Sequence, residues 1–152
     1  MTKWGWIHIR ETSKHKAWVA WYILKACRAL IARAVRHDLS KYSKHEAPYF
    51  EKWLPALPGL EYGSQEYKAA IESLGPALQH HYANNSHHPE HWNSVEEMTP
   101  LELIEMLCDW KAATKRHATG NFSRSLKINE DRFNYSSVRT EAFKSAAREI
   151  GL

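Results

Sequence analysis

Cysteine is nearly absent: Cys27 and Cys108 are the only two in the chain, and they form no C-x-x-C pair. That excludes a thiolate zinc finger or a dithiol redox centre. Both lie in apolar helical patterns, so the expectation is two buried thiols in a reducing cytoplasm. No stretch of 18 apolar residues occurs, so no membrane-spanning helix is expected. The first residues lack an apolar signal region, which again points to the cytoplasm. Like charges never run to five in a row, so there is no basic arm. The net charge of +4, with a pI near 9.1, favours anionic ligands such as nucleotides without requiring nucleic acid. Alternating strand patterns, hairpin signals and internal repeats are also missing. What remains is an all-α class.

The chain does have a supply of core-forming side chains. The hydrophobic fraction is 43%, and 12% of residues are aromatic, including seven Trp. That is enough for one compact helical domain over residues 1–152, with a core at about 12–118 and a C-terminal loop and helix at 120–150. A long helix is expected over 12–36, with Thr12 or Ser13 as cap and apolar steps at Trp18, Tyr22, Ile23, Ala26, Leu30 and Ala34. It should end or bend near His37-Asp38. A short helix over 44–54 is closed by Pro55 and Pro58-Gly59. A third runs from Ser64 to about Asn84, broken at Gly75-Pro76. The stretch 85–98 reads as irregular. Thr99-Pro100-x-Glu102 has the form of a capping box that opens a buried helix reaching about His117. Residues 120–136 read as a mobile loop or short helical turns, and 137–149 as a weaker amphipathic helix.

Ten His are present, and seven of them fall between residues 37 and 91. Histidine is the commonest side-chain ligand for metals. Asp109 and Glu105 sit four residues apart on one face of the expected buried helix, where two carboxylates need a cation or a proton. A salt bridge to another helix would also serve. His37-Asp38 offers a nitrogen and an oxygen ligand from one short segment, although such a dipeptide also occurs on plain surfaces. His15 lies 22 residues before His37, with Glu11 one turn earlier as a partner or further ligand. His81 and Asn85 share a helix face, and His87-His88 lies in a segment free to aim two imidazoles inward.

The order His, His-Asp, His, His-His, Asp resembles the HD superfamily of metal-dependent phosphohydrolases. His37-Asp38-Leu39-Ser40-Lys41 looks like its His-Asp-x-x-Lys element. His87-His88-Pro89-Glu90 is similar to a His-His-x-Glu segment in the cyclic-di-GMP phosphodiesterase branch, but the Gly-Tyr-Pro that follows there is missing. Lys14-His15-Lys16, His37 to Tyr42, His81 to Trp92 and Glu105-Met106-x-x-Asp109-Trp110 also resemble an uncharacterised family of small bacterial and phage proteins, over about residues 12–112. The superfamily resemblance implies an HD-like fold and metal held by His15, His37, Asp38, His81, His87, His88 and Asp109, with Asp38 bridging two ions.

Nitrogen and carboxylate donors suit one or two transition-metal ions, among Mn, Fe, Co, Ni and Zn. The expected activity is hydrolysis of a small phosphate ester, such as a nucleotide. Asp38 and Lys41 are the catalytic candidates. Lys41, Asn85 and Lys111 are the substrate-binding candidates, and Glu11, Glu46 and Glu105 are supporting acids. A non-catalytic module that binds metal or nucleotide is the alternative, and a helical nucleic-acid binder is a distant third. Exposed Trp on helix faces would allow a homodimer.

Overall fold

The structure is a computed structural model that describes residues 3–53, 55, 59–61, 63–116 and 120–152. Among the described residues there are α-helices and short 3-10 turns and no strand. The seven helices are α1 (Lys3–Arg36), α2 (Ala47–Trp53), α3 (Gln65–Glu72), α4 (Pro76–Asn84), α5 (Pro100–Thr114), α6 (Phe122–Phe133) and α7 (Ser137–Glu149). The chain divides into two compact units, Met1–Arg36 and His37–Leu152.

The first unit is α1. It is 34 residues long and starts well before the capping residues Thr12 and Ser13. Nothing between Lys3 and Glu11 stops it, since Gly5 is the one weak former and no proline occurs. Arg33 and Arg36 occupy its last turn, where cations complement the negative end of the helix dipole.

In the second unit the expected boundaries largely follow the turn chemistry. Ser64 accepts from the Tyr67 amide and caps α3. Gly75 adopts φ 50° between α3 and α4, and Pro76 follows at the first position of α4, where a missing N–H costs nothing. The Glu102 carboxylate accepts from both the amide and the hydroxyl of Thr99, closing the start of α5. That helix ends at Thr114; the expected end at His117, like Pro58, lies outside the described residues. The short helix forms over Ala47–Trp53, later than the expected start at 44, because residues 44–46 make a turn.

Two expectations are corrected. Residues 120–136 form neither a loop nor short turns: the full helix α6 occupies most of them, capped by Asn121, which accepts from the Arg124 amide. Its polar sequence hides a narrow inward stripe of Phe122, Leu126 and Phe133, with Ser125 and Asn129 buried beside it. The Asn129 amide nitrogen donates to the Ser125 carbonyl, so this polar group is satisfied inside the fold. The cysteines are the second correction, since Cys27 and Cys108 are both exposed. Apolar neighbours along a helix do not by themselves decide on which side a given residue falls.

The core of this unit joins Met106, Leu107 and Trp110 of α5 to Leu126 of α6 and Phe143 of α7, with Val95, Met98 and Tyr135. Trp110 and Phe133 stack with ring centres 6.2 Å apart. The buried Tyr135 hydroxyl donates to the Leu126 carbonyl at 3.0 Å, which satisfies its polar end. The face of α5 that packs on α6 and α7 anchors the helix. Glu105 and Asp109 project from another part of its surface.

Candidate metal centre

The centre begins where α1 ends. Asp38 has φ 57° and ψ 17°, in the left-handed region. Asp tolerates that region better than most residues. The chain then turns into a 3-10 turn, Leu39–Tyr42, with the Lys41 amide donating to the Asp38 carbonyl at 2.9 Å. Two consecutive residues of a helix point about 100° apart. Here the reversal lets His37 and Asp38 meet, with His37 Nε2 3.4 Å from Asp38 Oδ2.

Four segments supply donors. Asp38 Oδ1 lies 3.2 Å from His81 Nε2 on α4 and 3.5 Å from His87 Nε2. His88 Nε2 is 3.0 Å from His81 Nε2. On the other side, His37 Nε2 is 3.7 Å from Asp109 Oδ1 on α5. Two sets of donor atoms are therefore compact enough to hold an ion: Asp38, His81, His87 and His88, and beside them His37, Asp38 and Asp109. Asp38 belongs to both and offers a different oxygen to each.

Behind the imidazoles stand two carboxylates. Glu46 is fully buried and faces His81 Nδ1 at 2.8 Å and His80 Nδ1 at 2.6 Å. Glu105 Oε1 lies 3.0 Å from His37 Nδ1 and 3.3 Å from His87 Nδ1. A neutral His81 or His87 ring that gives its Nδ1 proton to the carboxylate behind it turns an Nε2 lone pair towards Asp38 Oδ1. A carboxylate behind a histidine is how metal-binding imidazoles are usually oriented. A third compact group, His37, His87 and Glu105, reads better as this orienting arrangement, because its atoms meet at hydrogen-bond distances through Nδ1.

The electrostatics agree with the geometry. Burial pushes the Asp38 carboxyl upward, but the neighbouring His81, Lys41 and His37 overcome it and hold it well below the usual range. Burial also raises Glu46, and its bonds from His80, Ser40 and His81 bring it below normal. Asp109 shows the same balance, with His37 the main opposing group. His37 rises to about 9, chiefly through the facing Asp109. Burial lowers His87, and it lowers His88 to about 3 with help from His87, so both rings are neutral. Neutral imidazoles and ionised carboxylates are the forms that bind metal, so His87, His88, Asp38 and Asp109 are already in that form, whereas His37 is protonated at neutral pH and gives up that proton to an incoming ion.

The deep atoms are short of partners. Asp38 Oδ1 and His87 Nε2 are buried and make no hydrogen bond among the described residues. Buried polar atoms are normally satisfied. Here an anionic oxygen and an imidazole nitrogen lone pair face each other, and a cation would satisfy both. The donor set therefore fits a divalent metal ion.

Several expected residues are not among these donors. His15 is exposed on α1, in the other unit, and is in none of the compact donor groups. Glu11 is exposed and accepts from Arg10 and Lys14 on its own helix. Lys111 places its Nζ over the Phe122 ring at 5.2 Å. Asn85 is buried, and its amide nitrogen is engaged by Ser40 Oγ and the His81 carbonyl, so it braces the site and does not face a ligand. Lys41 donates to Asp38 Oδ2 and keeps a quarter of its side chain exposed. Sequence reasoning missed Ser40, 3.1 Å from His81 Nδ1, and the brace behind His88. There the Tyr82 ring packs 5.1 Å from His88, and Arg132 links the Tyr82 hydroxyl to Glu90. Only the polarity of Arg132 and Glu90 in otherwise packed segments hinted at that brace.

A family model described as a family of unknown function, DUF5662, matches residues 5–150. The chain belongs to DUF5662. No curated protein and no solved structure matches it. The match takes in both units, so the His37-Asp38 corner and the donors on α4 and α5 all lie within the stretch this DUF5662 member shares with its family.

Proposed function

We propose that this DUF5662 protein is a metal-dependent phosphohydrolase of HD type, acting on a small phosphate ester such as a nucleotide. The observation that carries the reading is the asymmetry of the donor cluster. Its floor is closed, with His81 and His87 almost fully buried, whereas the side bearing His37, Asp109 and Lys41 remains 22–28% exposed. Structural metal sites are closed by protein ligands, and catalytic ones keep an open side.

Asp38, His81, His87 and His88 would hold one ion, and His37, Asp38 and Asp109 a second. When bound, a divalent cation supplies Lewis-acid polarisation of a phosphoryl oxygen and makes water more acidic. The chain's own residues do the rest. Lys41 Nζ, at the open side beside Asp38, receives a phosphate oxygen and offsets the charge that builds as the ester bond breaks. Glu46 and Glu105 fix the tautomers of His81, His37 and His87. Ser40 and Asn85 hold the His81 segment in register with the 3-10 turn.

The test is a panel of phosphomonoesters, phosphodiesters and nucleoside triphosphates. It is run on protein reconstituted with Mn, Fe, Co, Ni or Zn, beside His37→Ala and Asp38→Asn. The proposal expects metal-dependent turnover of at least one ester class and its loss in both variants. Turnover that survives both substitutions removes the cluster from catalysis. Tight metal binding with no turnover on any ester leaves a metal-binding module in its place.

A further inference from the structure

α1 carries a second feature, independent of the metal centre. Of the seventeen exposed large hydrophobic side chains among the described residues, twelve lie on this one helix, including Ile23 at 58%, Leu24 at 62% and Ile31 at 63% exposure. Those that share one face make an apolar patch of the kind that monomeric proteins rarely leave uncovered.

The residues sort onto two faces. In a seven-residue repeat counted from Ala20, the small residues Ala20, Cys27 and Ala34 recur at one position. Ile23, Leu24, Leu30 and Ile31 flank them, with Val19 and Ala26 at the margin. Arg33 is the one charge on this face between residues 19 and 35. Lys14, Lys25, Arg28 and Arg36 occupy the opposite face with Trp18, Trp21 and Tyr22. Lys25 Nζ lies 5.6 Å from the Trp21 ring centre and 5.7 Å from that of Tyr22, so cations and aromatics are interleaved there.

We propose that α1 pairs with α1 of a second copy of this chain through its aliphatic face. Small residues at every seventh position let two helices approach closely, and the larger side chains between them fill the gaps. The helix carries eight Lys and Arg and one Glu, a net charge of +7, while the rest of the chain carries thirteen against sixteen, a net charge of −3. Two such helices repel unless their cations are turned away from the contact, which is the arrangement present. A lipid surface fits less well, because a helix lying in a bilayer interface keeps its aromatics on the apolar side. Here Trp18 and Tyr22 sit among the cations.

The face from Val19 to Val35 is about 25 Å long, and on a helix about 10 Å across it would bury on the order of 1,000 Å² in total, the lower bound for a specific interface. The contact is self-complementary, as a two-fold dimer requires. Cys27 lies at the midpoint of the face, so full overlap in either direction brings the two Cys27 side chains together.

Sedimentation velocity of the full chain across the micromolar range tests the pairing, in low and in high salt. The expected result is a dimer that tightens with salt, because screening relieves repulsion between the helices. The double variant Leu24→Gln/Ile31→Gln removes apolar contacts from both copies and should weaken association by roughly 100-fold. Tyr22→Gln, on the outer face and with no change of charge, should leave it unchanged. In a Cys108→Ser background a short bismaleimide should link two chains through Cys27, and adding Cys27→Ser should abolish the link. A chain that stays monomeric throughout overturns the proposal. So does association that weakens with salt, or that survives Leu24→Gln/Ile31→Gln while circular dichroism reports an intact fold. Salt-sensitive binding of a monomer to phosphatidylserine vesicles would assign α1 to a lipid surface and overturn it as well.

Discussion

Replacing Glu46 by Gln isolates the carboxylate that stands behind His81. The side chain is fully buried, and its two oxygens face two Nδ1 atoms at 2.6 and 2.8 Å. The carboxamide has nearly the same shape but only one acceptor oxygen and no charge. If that oxygen faces His81, the tautomer survives and only the electrostatic support of Nε2 is lost, which weakens metal binding by about tenfold. If the amide nitrogen faces His81, the imidazole must carry its proton on Nε2, where it cannot bind metal, and the loss approaches about 100-fold. The range corresponds to about 1.4–2.7 kcal/mol. Competition titration of Mn²⁺ or Zn²⁺ against a chelating dye measures it. His80→Ala serves as the control, because His80 shares Glu46 but lies outside the compact donor groups. If Glu46→Gln binds metal indistinguishably from the wild type with its helical spectrum intact, then Glu46 does not orient a ligand, and the assignment of Nε2 as the donor fails.

Three further expectations follow from the same geometry. Lys41→Ala should raise KM for a phosphate ester more than it lowers metal affinity, since Lys41 contacts Asp38 Oδ2 and supplies no lone pair of its own; steady-state kinetics beside metal titration separates the two. The pH dependence of metal-free melting should show two limbs. His37 rises from 6.5 to about 9, so its stabilisation is complete below pH 6.5 and is lost as pH climbs through 9. His88 falls from 6.5 to about 3, so its contribution is complete above pH 6.5 and is lost as pH drops towards 3. A melting temperature that does not change between pH 6.5 and 10 would remove His37 from this balance. Gly75→Ala meets no atom within 4 Å, yet φ is +50°, so the cost is conformational, about 1 kcal/mol by urea denaturation.

How far this arrangement could be read from the chain depended on the range of the forces. Ser64, Gly75-Pro76 and Thr99-x-x-Glu102 act within one turn of backbone, and the local signals placed those boundaries close to where they occur. His37, Asp38, His81, His87, His88 and Asp109 were grouped through the resemblance in motif order, which also named His15, a residue in none of the compact donor groups. The roles of Glu46 and Glu105 were not, because each is defined by a histidine 34 to 68 residues away. Both were expected only as supporting acids, and both turn out to face the far nitrogen of an imidazole. α6 was missed because its inward stripe is narrow and partly polar, and Ser125 and Asn129 look like loop residues until their bonds are known.

The left-handed backbone at Asp38 narrows what can stand there. Glycine and asparagine enter that region with little penalty, and neither brings a negative charge. Glutamate brings the charge, but it enters the region less readily and sets its carboxylate one carbon further from the main chain. Position 38 is thus constrained separately by main-chain shape, by side-chain reach and by charge, and aspartate alone meets all three. Asparagine keeps the bend and removes only the charge, so it separates electrostatics from architecture in a way that alanine, which disturbs both, does not.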